Sequence, residues 1–164
     1  MPSPNNISAA PFPRETTSPR KALVLGATGG IGHEMAKALI ENGWQIVALC
    51  RRDPDAGQIA DFGPDCRWVV GDAMKRTDVL KASKGAELIV HAVNPPGYRD
   101  WDKLVLPMID NSIAAACENR ARIFLPGTVY NYGPDAFPLI DEDSPQHPVT
   151  RKGKIRVEME NRLK

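Results

Sequence analysis

Charge of one sign is the first thing this 164-residue sequence lacks: 21 Lys and Arg face 20 Asp and Glu, a formal net charge of +1. Steering nucleic acid or an anionic membrane surface needs clustered like charge, so neither is expected as a partner. Long apolar runs are also missing. No stretch approaches the roughly 20 residues that cross a bilayer. Cysteine is scarce, and Cys50, Cys66 and Cys117 are odd in number and far apart. That spacing gives neither a disulfide framework nor a metal knuckle, and it fits a reducing, cytoplasmic setting with no metal site. Residues 1–20 are rich in Pro, Ser, Thr and Asn. They lack the apolar core and cleavage site of a secretory signal and read as a disordered tail. What is left, residues 21–164, suits a single domain able to hide roughly 70% of its unfolded surface.

Within that domain the chain is organised around Leu23-Val24-Leu25-Gly26-Ala27-Thr28-Gly29-Gly30-Ile31-Gly32, an apolar run that ends in glycines where an amphipathic helix begins. The stretch reads as a phosphate cradle. Gly26 ends the strand in a turn that a Cβ would forbid, Gly29 lets backbone approach a pyrophosphate, and Gly32 lets the helix pack on the sheet. The helix start adds unpaired N–H groups and a partial positive charge. The spacing is G-x-x-G-x-x-G, and Thr28, Gly30 and Ile31 are drawn into the binding loop with the three glycines.

Strands and helices then alternate. Residues 22–25 form a buried strand, and Ile31, Met35, Ala38 and Leu39 follow at helical spacing to a stop at Asn42-Gly43. His33 on this helix reads as an exposed helix residue. A second strand, 45–49, runs into Cys50-Arg51-Arg52. An acidic residue there would hold the ribose hydroxyls of NAD, whereas arginine offers forked donors to the 2′-phosphate of NADP. NADP is therefore expected on Arg51, while Asp53 keeps NAD open. A third strand, 67–70, precedes Gly71-Asp72-Ala73, which puts Asp72 and Ala73 on the ligand edge beside the adenine. Val79, Leu80 and Ala82 give a short helix. The fourth strand, 88–93, carries His91 as a core histidine and stops at Asn94-Pro95-Pro96-Gly97. Residues 101–119 form a long helix in which Asn111 either faces solvent or faces the site. A fifth strand, 123–125, opens into Pro126-Gly127-Thr128-Val129-Tyr130-Asn131-Tyr132-Gly133. A proline-rich acidic loop and a basic helix over 150–164 complete the chain. This alternation predicts an α/β, doubly wound parallel sheet.

The ordered set Gly26 to Gly32, Gly71-Asp72, His91-Ala92, Asn111, Val129-Tyr130, and Lys154 with Glu158 resembles the extended short-chain dehydrogenase/reductase family, the NAD-dependent epimerases and dehydratases. The resemblance covers about Lys21 to the end. It implies a Rossmann domain, incomplete at its C-terminal end, with the substrate domain absent. It also implies a small-molecule substrate, a sugar or nucleotide sugar, and hydride transfer at an alcohol or ketone. By the family pattern Thr128 meets the substrate oxygen and Lys154 holds the nicotinamide ribose.

Two departures accompany it. In that family a Y-x-x-x-K motif shuttles the proton, its lysine lowering the tyrosine pKa. Here the stretch is Thr150-Arg151-Lys152-Gly153-Lys154, with threonine where tyrosine belongs. An aliphatic hydroxyl is too weak an acid for that role, which leaves Tyr130 or Tyr132 to supply the proton. The chain also ends within the active-site helix, so the sheet has an edge that invites self-association into a homo-oligomer. A non-catalytic NADP(H)-binding regulator and an inactive fragment are the alternatives these departures raise.

Overall fold

A computed structural model describes residues 18–95 and 100–164. The expected tail therefore lies almost wholly outside the described residues, as does Pro96-Gly97 of the loop after the fourth strand. Five strands form one parallel sheet: β1 (Lys21–Leu25), β2 (Gln45–Cys50), β3 (Cys66–Val70), β4 (Leu88–His91) and β5 (Arg122–Phe124), in the spatial order β3-β2-β1-β4-β5. Five α-helices connect and flank them: α1 (Gly30–Glu41), α2 (Ala56–Phe62), α3 (Arg76–Ala82), α4 (Trp101–Asn119) and α5 (Arg151–Asn161). This is the doubly wound Rossmann order, with β1 at the point where the winding reverses.

Alternation along β1 builds both faces of the sheet. Successive side chains of a strand point to opposite sides. Leu23 and Leu25 join a core with Val47, Leu49, Val79, Ile89 and Ala115, beneath α3 and α4. Ala22 and Val24 join Ala36, Ile46, Phe62 and Val90 on the other face, beneath α1 and α2. A third cluster of Trp101, Val105, Ile109 and Met159 fixes α5 to α4. Each fully buried aliphatic chain in these clusters stabilises the fold by about 1.5–3 kcal/mol relative to exposure.

Register sets the site. Leu25 pairs with Leu49 and with His91, Cys50 with Val70, and Val90 with Phe124. The carboxyl ends of all five strands are thus level, and the loops beyond them share one edge.

Some boundaries differ from the sequence reading. β4 ends at His91 because Ala92, whose N–H still donates to the Leu25 carbonyl at 2.9 Å, turns out of the ladder. α2, which no periodicity announces, starts in a capping box: Asp55 accepts from the Gln58 N–H at 2.9 Å, while the Gln58 side chain accepts from the Asp55 N–H at 3.0 Å. Such reciprocal caps satisfy two orphan donors of the helix start. Helical spacing puts Ile31 in the apolar stripe of α1, yet it is 59% exposed. The side chain lies on the cleft instead.

Candidate functional site

The cradle is built by two close backbone approaches. Gly26 has φ +90°, and a Cβ there would stand 2.6 Å from the Ala92 carbonyl oxygen. A Cβ on Gly32 would stand 2.1 Å from the Gly26 carbonyl oxygen, so only glycine lets α1 sit this close to the turn. The Gly29 N–H donates to the Gly26 carbonyl at 2.9 Å and closes the loop. No side chain caps α1, whose N-cap is Gly29. The N–H groups of its first turn are thus left to whatever anion lies in front of them. Nothing lies within 4 Å of a Cβ built on Gly30. These glycines leave the space in front of the helix start open.

In front of the cradle lies a cleft of about 510 Å³. Gly26, Thr28, Gly29, Gly30 and Ile31 line one side, Arg51 stands at the end of β2, and Asp72 and Ala73 stand beyond β3. Gly32 lies behind the turn, where it acts by packing. The sequence reading missed Met74, Leu104 and Met108, which form an apolar wall. Leu104 and Met108 are four apart on α4 and carry the spacing of a core stripe, a pattern that a ligand-facing wall shares. Ala92, Val93, Asn94 and Pro95 also line the cleft; only the register of β4 beside β1 shows their place.

Local bonds hold these groups. Asp72 Oδ1 accepts from the Met74 N–H at 2.9 Å, and the Asp72 N–H donates to Asp78 Oδ2 at 3.0 Å. Asn111 resolves toward the protein: its Nδ2 donates to the Ala73 carbonyl at 2.8 Å and ties α4 to the loop after β3. Trp101 Nε1 donates to Asn94 Oδ1 at 2.8 Å. Cys50 also lines the cleft, and burial, then the nearby Asp53 carboxylate, pushes its pKa up, so it stands as a thiol.

His91 is a core histidine, 2% exposed. Its Nδ1 lies 2.8 Å from Ser112 Oγ, and that hydroxyl donates to the Met108 carbonyl at 3.3 Å. The Ser112 hydroxyl thus joins the ring to the Met108 carbonyl. Burial, and then the Arg156 charge, lower the His91 pKa to about 4, so the ring is neutral at pH 7. His33 is half-buried, bridging Glu34 and Asp61 at 3.2 and 3.3 Å, with its ring tilted against Phe62 at 4.9 Å between centroids.

The residues expected to do chemistry stand apart from this lining. Thr128 Oγ1 accepts from the Tyr130 N–H at 3.3 Å, and Tyr130 is 49% exposed. Thr150 is the N-cap of α5, its hydroxyl accepting from the Gly153 N–H at 3.0 Å. Lys154 is exposed on α5 and is not among the residues lining the cleft. The α5 cation turned inward is Arg156, whose Nη2 donates to the Pro126 carbonyl. Gly153 seats the helix start: a Cβ there would stand 2.1 Å from the Tyr130 carbonyl oxygen.

A parallel β3-β2-β1-β4-β5 sheet, a glycine cradle after its first strand and a cleft along the strand ends define a dinucleotide-binding domain of the doubly wound class. Within that class, the chain belongs to the NAD(P)H-binding family, whose model matches residues 26–161. It is 30% identical over 140 residues to a 3-diazoavenalumate denitrifying reductase from a Streptomyces species, covering 76% of this chain and 43% of that protein. It is 32% identical over 125 residues to a very-long-chain 3-oxoacyl-CoA reductase of Anas platyrhynchos, covering 65% and 40%. In fold it matches the UDP-Glc/GlcNAc 4-epimerase of Campylobacter jejuni with a TM-score of 0.76 at 18% identity, over 88% of this chain and 48% of that one. The Bordetella bronchiseptica enzyme WbmH, solved in complex with NAD+, matches with a TM-score of 0.73 at 20% identity, over 88% and 52%. The likeness to the epimerases is one of fold, and the family shown is the NAD(P)H-binding one. The chain spans less than half of the curated relatives named here and about half of the solved structures. Among the described residues no helix is long and apolar enough to cross a membrane.

Proposed function

We propose that this chain is the cofactor-binding part of an NADP-preferring oxidoreductase of the epimerase/dehydratase type, acting by hydride transfer at an alcohol or ketone of a small, sugar-like molecule. The observation that supports it most is the continuous cleft joining the open cradle to Arg51 and to Asp72 and Ala73. In this reading Gly26, Thr28, Gly29, Gly30, Ile31 and Gly32 form the pyrophosphate site. Arg51 takes the 2′-phosphate, and Asp72 with the Ala73 backbone takes the adenine. The nicotinamide, when bound, supplies or accepts the hydride. Thr128 holds the substrate oxygen, and Tyr130, two residues on, is the phenol closest to it in sequence. Self-association through the β5 edge, where Arg122 and Phe124 are exposed, belongs to the same proposal.

A second reading, a cofactor-binding regulator without turnover, is favoured by one observation. The Thr150 hydroxyl caps α5, so the usual proton shuttle is missing. Titration with NADPH and NADH, followed by turnover against a panel of carbonyl compounds, separates the two. Tight NADPH binding with turnover supports the enzyme, binding alone supports the regulator, and tighter NADH binding overturns the role given to Arg51.

A further inference from the structure

We infer that Arg156, rather than Lys154, is the cation that α5 turns toward the site, and that its guanidinium is a positioning group for the turn carrying Thr128. The inference rests on the proposed reading in which Thr128 meets the substrate oxygen. Residues two apart on a helix point to nearly opposite sides, whereas residues four apart share a face. Lys154 and Arg156 are two apart, so one inward cation excludes the other.

The contacts decide between them. Lys154 is exposed. Arg156 is half-buried, with Nη2 donating to the Pro126 carbonyl and Nη1 reaching the sulfur of Met159 at 3.9 Å. Met159 is itself 1% exposed in the α4–α5 core. The buried ring of His91, at the end of β4, also feels the Arg156 charge. The guanidinium therefore bridges α5 and the turn after β5.

Its hold on Pro126 reaches Thr128 through a single residue. Gly127 is exposed, with nothing within 4 Å of where a Cβ would be, and it separates the anchored carbonyl from Thr128. The anchor fixes the point from which the turn leaves, and Gly127 lets Thr128 swing about that point. Arg156 thus sets where Thr128 starts. Counted back from Arg156, the four-residue spacing of the shuttle motif lands on Lys152, while Thr150 lies outside the helix as its cap. A guanidinium stays protonated across the working pH range, so it orients without relaying protons.

The test uses the full chain and three substitutions, Arg156→Gln, Arg156→Lys and Lys154→Gln. Readouts are NMR titration of the His91 ring, NADPH binding, and kcat and KM on a carbonyl panel. Arg156→Gln is expected to move the His91 titration upward, because loss of a nearby cation favours the imidazolium. It should also lower kcat about 10²-fold, as misplacing a reacting group does, with KM for NADPH changed by less than about twofold. Arg156→Lys should restore the His91 titration, and Lys154→Gln should leave that titration where it is in the parent. The inference is overturned if Lys154→Gln, and not Arg156→Gln, lowers kcat, or if His91 titrates alike in Arg156→Gln and the parent protein.

Should the parent bind NADPH yet turn nothing over, the hydride-transfer reading fails by itself and the His91 titration still judges Arg156. Should Arg156→Gln fail to melt cooperatively, the parent's own Arg156 side-chain nitrogen signals decide. Slow rotation of the guanidinium is expected, and free rotation overturns the inference.

Discussion

Gly32 and Gly30 are two residues apart and differ in what a methyl group would meet. On Gly32 it would press on the Gly26 carbonyl, at 2.1 Å for the Cβ itself. Gly32→Ala is expected to cost about 1–3 kcal/mol, as overpacking does, and to abolish NADPH binding; urea melts and fluorescence titration check both. Gly30→Ala meets open space and gains up to about 1 kcal/mol of helix propensity. Its stability should hold or rise while NADPH affinity falls, and unchanged affinity would place the pyrophosphate elsewhere. His91 offers a pH test. Its folded pKa of about 4 lies below the ordinary histidine value of 6.5, so the unfolded chain binds more protons between those values. The associated stability is complete above about pH 6.5 and is lost as pH falls toward 4, with a slope of at most about 1.4 kcal/mol per pH unit. Denaturant melts at pH 7 and pH 5 should show this loss in the parent chain and a smaller one in His91→Gln.

At the scale of the element, helix ends carry the clearest expectations. α4 ends on Arg120 in the left-handed region at φ 53°, where glycine is the usual occupant. Arg120→Gly should stabilise the protein by about 1 kcal/mol, the lower bound of the left-handed penalty for a side chain, seen as a higher melting midpoint. Thr150→Tyr restores the family phenol but removes the α5 cap, a loss of about 1 kcal/mol. It should lower the melt while raising dehydrogenase turnover in a full-length protein, and a lowered melt without turnover sinks the phenol argument.

The same scale shows what could be read from sequence. Each strand is legible to within a residue or two because apolar runs such as Leu23 to Leu25 stop at glycine, proline or charge. α2 is not, since its seven residues carry only two large apolar side chains, Ile59 and Phe62, too few for a period to show. Eight proposed cofactor residues line one cleft because glycine spacing and strand ends are local signals. Asn111 stays ambiguous in sequence because its partner, the Ala73 carbonyl, is 38 residues away. The direction of Lys154 and Arg156 is equally hidden, since both are basic residues on one helix and only packing against Pro126 and Met159 tells them apart.

For the molecule as a whole, a ligand that binds only the folded state stabilises it by mass action. NADPH at 100 times its Kd should add about 2.7 kcal/mol, read as a rise in melting temperature that Arg51→Ala diminishes for NADPH but not for NADH. The cradle also has a place in the order in which the chain is made. β1 pairs with β4 across Ala22↔Leu88 to Leu25↔His91, and Gly26 is held against the Ala92 carbonyl. A nascent chain that has passed Gly32 holds every glycine of the loop, yet nothing clasps it until some 60 residues later in synthesis, when β4 docks. Pairing between strands so distant in sequence closes late. The first β-strand therefore leaves the ribosome with one side bare, and cofactor capture during translation must wait for Ala92.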